Sequence, residues 1–440
     1  MAKPTISISN NTSTFTADAA DTHFILHETY TVETSSLYAI NAGNDVDGRS
    51  FEINGGLFDA TIGLYANSAN SGASTIRVGK TGVISTDAIG INAVGDHDVI
   101  VNHGSIAAWD ASSYGLLLKG TGIKATNTGA IRADTGIGLD GSGTLINSGT
   151  ITGNAGGTRA TGIGVDSNTG DVTRIVNSGS ITGSNHSIYA YDGREIITNS
   201  GIINGDLRTG AGRDSISSSG EIQADIAMGD GNDRFIGRAG STFTSLTMDG
   251  DNDTVDVRGM GAIESNTIYG GDGDDTILIS SSDVVLVEFL NQGADTVRSS
   301  ASFTLGDNFE TLVLLGKGKI NGTGNTLDNR LNGNGADNRL SGLAGEDRLD
   351  GGRGNDTLKG GGAADSFVFK AHAGDDTIAD FKDGTDSIDL SHYKGIDSFA
   401  DIKGHMQQVG GDLVITLLLG DAITLGHTKA AEIGGQDFDF

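Results

Sequence analysis

Five consecutive nine-residue segments, 324–332, 333–341, 342–350, 351–359 and 360–368, repeat one arrangement of glycine, oxygen-bearing side chain and apolar anchor. Their sixth positions are Asn329, Asn338, Asp347, Asp356 and Asp365, and their eighth are Leu331, Leu340, Leu349, Leu358 and Phe367. The pattern approximates G-G-x-G-x-D-x-U-x, where U is a large apolar residue. Glycines such as Gly345 and Gly354 let the turn take positive φ and bring backbone carbonyls inward. The aspartate adds a hard carboxylate, and the apolar anchor pins a short strand to the core. Two segments make a coil of about eighteen residues, so like loops stack on every second segment. An ion between stacked loops collects about six oxygens, which suits Ca²⁺ rather than a soft metal. Asn329 and Asn338 lack the charge, so their turns are expected to bind weakly or only to shape the coil.

Looser versions of the loop occur upstream at 209–216, 228–235, 248–255 and 270–277. They carry Asp214, Asp233, Asp253 and Asp275, with Gly231 and Gly273 as turn glycines. The third departs most, since Asp251 stands where a glycine is expected. Asp376, in Gly374-Asp375-Asp376-Thr377-Ile378, extends the set downstream.

The elements that position these loops are read from a second repeat, Asn-x-Gly-x-Ile. It starts at Asn102, Asn127, Asn147, Asn177 and Asn199, with degenerate copies around Gly82, Gly220 and Gly240. The glycines are about 19 to 30 residues apart, the range of one β-solenoid coil. Each coil holds three short stretches of period-two alternation bounded by turn formers, which reads as strand. The expected fold is all-β: a right-handed parallel β-helix with three strands per coil, continuing into a calcium-binding parallel β-roll. The asparagine column reads as a structural ladder, because Asn tolerates turn geometry and bonds its neighbours. The expected organisation is a cap and first coils over 1–79, repeat coils over 80–208 and calcium-loop coils over 209–279. A connecting segment over 280–323, the β-roll over 324–381 and a C-terminal cap and secretion signal over 382–440 complete it.

Strand alternation also predicts an outward column. With Leu64, Ile91, Leu116, Ile137, Ile163 and Ile188 inside, Tyr65, Asn92, Leu117, Gly138, Gly164 and Tyr189 point outward, with Tyr191 beside the last. A surface floored by glycines and bordered by tyrosines is expected to bind or pack.

Composition narrows the function. There are 70 glycines in 440 residues, one proline, no cysteine, and 57 acidic against 28 basic residues, a net charge of −29. That charge disfavours nucleic acid and anionic membranes. No disulfide or thiolate site is available, no apolar stretch is long enough for a membrane span, and the first residues lack the apolar run of a cleaved signal. A zinc protease motif fails, since His27-Glu28-Thr29-Tyr30-Thr31 has threonine at the second histidine. No G-x-S-x-G occurs. Asp96-His97-Asp98 with His103 reads more readily as a solvated turn than as a general-base site. Lys119, Lys124, Arg132, Arg159 and Arg174 form no evident column.

The nine-residue repeats resemble the RTX (repeats-in-toxin) calcium-binding proteins of bacterial type I secretion. Segments 364–369, 374–381 and 386–391 are similar to the C-terminal module of serralysin-type proteases, here without the protease domain, and 286–331 resembles the lead-in of many RTX proteins. The resemblance implies Ca²⁺ as cofactor, folding outside the cell, and an uncleaved C-terminal signal read by a type I exporter. The ending Asp437-Phe438-Asp439-Phe440 is similar to that group's acidic-then-apolar tail, departing at Asp439. The function expected is a secreted, calcium-loaded solenoid with a structural or cell-surface adhesion role. Its expected partners are calcium ions together with an acidic glycan, a cell surface or a second copy of the chain. The alternative is a polysaccharide-modifying lyase, hydrolase or C5-epimerase.

Overall fold

Alternating side chains with turn residues every few positions give short parallel strands that stack coil on coil. A computed structural model describes residues 5–8, 15–16, 23–27, 31–34, 36–44, 48–68, 73–154, 160–260 and 266–440. The chain forms two compact units, Met1–Asp249 and Gly250–Phe440.

In the first unit the described strands pair in parallel, and three apolar columns run through the coils. One passes through Ile76, Ile100, Ala125, Leu145, Ile175, Ile197 and Ile216. The second passes through Ile84, Ile106, Ile131, Ile151, Ile181, Ile203 and Ile222. The third is the expected series from Leu64 through Ile91, Leu116, Ile137 and Ile163 to Ile188. All are buried. Three strand segments per coil build a thin triangular core. Each fully buried Ile or Leu contributes about 1.5–3 kcal/mol, so a column stabilises through repetition.

The asparagine column runs beside the first apolar column. Nδ2 of Asn102, Asn127, Asn147 and Asn177 each donates to Oδ1 of the next asparagine at 2.8 Å. Asn199 ends the series by donating to Ser218 Oγ at 3.3 Å. All five are buried. A buried amide needs partners for both its ends, and here the identical group one coil away supplies one of them.

The second unit has two strands per coil over the strict repeats. Leu331, Leu349, Phe367 and Ile388 align on one side, and Leu340, Leu358 and Ile378 on the other. Like loops therefore stack at eighteen-residue spacing, as the repeat length implies. Near the C-terminus, strands Met406–Val409, Asp412–Thr416 and Ala422–Leu425 pair antiparallel and close one sheet edge. Phe438–Asp439 pairs in parallel with Ile388 and Asp389 and extends the other. One short α-helix, Phe399–Lys403, lies in this cap. No helix among the described residues is long and apolar enough to cross a membrane.

Candidate metal centres

Each acidic loop ends where its strand enters the core, so the sixth-position side chain is folded under the turn. Its first oxygen is already engaged. In the roll, the backbone N–H groups of Asn329, Asp347 and Asp365 donate to Oδ1 of Asp347, Asp365 and Asp386 at 2.8, 3.0 and 3.1 Å. On the opposite side Asn338 and Asp356 donate to Asp356 and Asp376 at 2.7 and 2.8 Å. In the first unit Glu195 and Asp214 donate to Asp214 and Asp233 at 2.8 and 2.7 Å. Near the start of the second unit Asp253 and Asp275 donate to Asp275 and Asp295, both at 2.8 Å.

The second oxygen is the candidate metal ligand. Oδ2 of Asp214, Asp275, Asp295, Asp347, Asp356 and Asp365 is buried and has no hydrogen-bond partner, as is Oε2 of Glu195 and Glu288. A buried carboxylate oxygen without a donor is costly. At Asp347 the oxygen lies over Gly342, in the space a Cβ would take, and the Gly360 carbonyl oxygen is 2.7 Å from the same point. Two oxygens converging with no hydrogen between them repel unless a cation sits there. These residues fit Ca²⁺, which binds carboxylate and carbonyl oxygens.

The turn glycines have the required geometry. Gly231, Gly273, Gly345 and Gly354 have φ of 127°, 127°, 104° and 126°. Asp251 takes its place at φ 73°, in the left-handed region that Asp enters more readily than most residues. Asn329 and Asn338 are engaged at both ends of the amide. Oδ1 of Asn329 accepts from Asn325 N at 2.6 Å, and Nδ2 donates to the Phe309 carbonyl at 3.1 Å. Asn338 does the same with Asn334 N and the Ile320 carbonyl. Here a hydrogen-bonding amide shapes the turn.

The structure adds candidate ligands that the spacing did not single out. Ligand atoms of Asp275, Glu288 and Asp295 all lie within 4.8 Å of one another, and all three residues are buried. Asp295 N donates to Glu310 Oε2 at 2.7 Å, continuing the ladder. In the first unit the ladder begins at Glu195, in register with the uncharged Thr173, Gly143 and Ile123 of earlier coils. Gly193-Arg194-Glu195-Ile196-Ile197 has the glycine, acid and apolar spacing of Gly212-Arg213-Asp214-Ser215-Ile216, so a search admitting glutamate finds it. Glu288 has no such frame.

Burial pushes these carboxyl groups up. Asp275, Glu288, Asp347, Asp356 and Asp376 rise to about 7, and Asp214, Asp295 and Asp365 to about 6. For the ladder aspartates the hydrogen bond from the preceding coil opposes the rise. Neighbouring carboxylates add to it, as Asp365 does for Asp347.

The outward column forms in register: Tyr65, Asn92, Leu117, Gly138, Gly164, Tyr189. Leu117, Gly138, Gly164, Tyr189 and Tyr191 line one cleft of about 290 Å³. Tyr65 lies apart from it, its ring 5.3 Å from that of Tyr38. The histidine cluster does not converge on one point. Asp98 accepts Ser74 N at 2.7 Å, Asp96 accepts Thr121 N at 2.7 Å, and the His103 ring bonds Arg77 and Thr128. Residues 28–30 of the histidine-glutamate motif, and Arg159, lie outside the described residues.

The RTX calcium-binding nonapeptide repeat model matches in four copies, over residues 260–278 and 323–358. Over 172 residues the chain is 40% identical to the endo-1,3-1,4-beta-glycanase ExsH of Rhizobium meliloti (strain 1021) and 39% identical to the endo-1,3-1,4-beta-glycanase EglC of the same strain. Each match covers 39% of this chain and 34% of the relative, so the matched part spans about a third of those proteins. Among solved structures, the extracellular lipase LipA of Serratia marcescens aligns over 61% of this chain and 45% of its own, at 17% identity and a TM-score of 0.22.

Proposed function

We propose that this RTX calcium-binding β-solenoid is a secreted scaffold that folds on Ca²⁺ outside the cell and presents its N-terminal coils for adhesion or structure. The supporting observation is the ladder of half-satisfied carboxylates. Without a cation, the coils carrying Asp347, Asp356 and Asp365 each bury an unpartnered carboxylate oxygen. With Ca²⁺, the same oxygen becomes a ligand, and binding free energy becomes folding free energy. Extracellular calcium modules have Kd of about 10⁻⁴–10⁻³ M, so cytosolic calcium leaves them empty. At ten times Kd each site adds about 1.4 kcal/mol, and five sites together match a domain's whole stability of about 5–15 kcal/mol. Circular dichroism of the full chain with Ca²⁺, with Mg²⁺ and with EGTA tests this. Structure gained with Ca²⁺ alone supports it; an unchanged spectrum and melting temperature overturn it.

A second reading is favoured by the likeness to two endo-1,3-1,4-beta-glycanases. The chain would then act on a polysaccharide, with the RTX portion serving export. Incubating the calcium form with polysaccharides and assaying for reducing ends or unsaturated products tests it. A complete absence of product removes the enzymatic reading and leaves the scaffold.

A further inference from the structure

The cleft on the first unit has a chemical layout that the calcium sites do not explain. Its floor is Gly138 and Gly164, paired in register. Leu117 and Tyr114 stand at one end, and Tyr189 and Tyr191 at the other, their rings 4.9 Å apart and edge to face. Strands in a sheet are spaced by about 4.8 Å, so Leu117 and Tyr189 are about 14 Å apart across the floor. Along one side run the hydroxyl-bearing Thr135 and Thr161, in register with each other. Along the other run Asp140 and Asp166, also paired, with Lys119 bonded to Asp140 at 3.0 Å.

We propose that this cleft binds a neutral polysaccharide, one or two pyranose rings at a time. The proposal rests on reading the N-terminal coils as the interacting part of the scaffold. A pyranose has an apolar C–H face and a rim of hydroxyls. Gly164 and the tyrosine rings, with Tyr114 lying over the buried Gly138, meet the face, while the threonines, carboxylates and ammonium meet the rim. A purely apolar ligand desolvates Asp166 and the Lys119–Asp140 pair, at a penalty. A polyanion meets two carboxylates on a chain of net charge −29 and is repelled. That charge argument replaces the acidic glycan among the expected partners with a neutral one. A volume of about 290 Å³ is at the small end of ligand sites, which suits a short stretch of a longer chain.

The two floor glycines differ in what a side chain would meet. A Cβ on Gly138 would lie 2.7 Å from the Tyr114 ring, so substitution there displaces a wall. A Cβ on Gly164 finds only Thr135 Cγ2, at 3.7 Å. Gly164→Lys therefore fills the cleft with little disturbance of the coil, and Gly164→Ala leaves it open.

The full calcium-loaded chain is applied to an array of neutral and acidic glycans, and its circular dichroism and calcium-dependent melting are recorded in parallel. The expected result is binding confined to neutral glycans, weakened at least tenfold by Gly164→Lys, retained by Gly164→Ala, with melting unchanged. Tyr191→Ala, at a half-exposed wall position, should weaken binding in the same way should Gly164→Lys disturb the fold. No binding to any neutral glycan, preference for acidic glycans, or full binding by both Gly164→Lys and Tyr191→Ala overturns the proposal. A wild-type dimer in sedimentation that Gly164→Lys dissociates also overturns it, because the occupant is then a second copy. The melting data report on calcium-driven folding separately, so either idea can fail without the other.

Discussion

Asp295 lies one coil beyond Asp275, accepts its backbone N–H at 2.8 Å, and brings a carboxylate oxygen within 4.8 Å of those of Asp275 and Glu288. Three buried acids thus share one small space. Glu288→Gln removes one charge while keeping the side chain's size. It should lower the number of bound calcium ions or weaken one of them, and raise the melting temperature in EGTA. Calorimetric titration against wild type checks both effects.

Stability of the metal-free chain should depend on pH in the direction opposite to that of a salt-bridged protein. The folded-state values of about 7 for Asp347, Asp356 and Asp376 exceed the unfolded value of about 3.9. The folded state therefore binds more protons, and the linked stability is fully present below about pH 4 and lost as pH rises through about 7. In EGTA the chain should melt higher at pH 5 than at pH 8. Calcium competes with those protons, so its affinity should fall as pH drops from 8 to 5. A melting series at fixed ionic strength, with and without Ca²⁺, checks the crossing trends.

Asn329→Asp puts a carboxylate oxygen where Nδ2 now donates to the Phe309 carbonyl at 3.1 Å. Without calcium this sets two oxygens against each other and should lower stability by about 1–3 kcal/mol. With calcium, the loop gains a ligand and much of the loss should return. Melting midpoints in EGTA and in Ca²⁺ give the comparison.

The asparagine ladder should be insensitive to calcium. Asn147→Ala removes the acceptor of Asn127 and the donor to Asn177, leaving a buried Oδ1 on Asn177 without that partner, at about 1–3 kcal/mol. The denaturant midpoint of the calcium-independent transition should fall, while the calcium titration keeps its shape.

Asp437 is fully buried, accepting Gly384 N at 3.1 Å and Gly434 N at 2.7 Å. Asp437→Ala should lower the melting temperature of the calcium form. Deleting 437–440 also removes the strand paired with Ile388 and Asp389, so an export assay isolates a signal only when the variant melts like wild type.

What the sequence disclosed follows from the range of the interactions. The strict loops were legible because ligand, turn glycine and apolar anchor of each lie within nine residues. The outward column from Tyr65 to Tyr189 was legible because alternation and coil length fix it. Glu288 was not, because it joins Asp275 and Asp295 only through the path of the coils. The unequal tolerance of Gly138 and Gly164 was hidden too, since it depends on where the Tyr114 ring settles. Position on a strand is a local property; the neighbour's rotamer is not.

The ladder of amides onto carboxylates gives the roll a direction of growth. Asn329 waits on Asp347, Asp347 on Asp365, and Asp365 on Asp386. Asp386 is different: its second oxygen accepts Lys382 N at 2.8 Å, within its own turn. The C-terminal end can therefore complete itself and serve as a template. Each coil docking on its N-terminal side meets an acceptor already in place, whereas assembly from the other end leaves an amide exposed at every step. Assembly should spread from the C-terminal turn toward lower residue numbers, as crystal growth spreads from a seed.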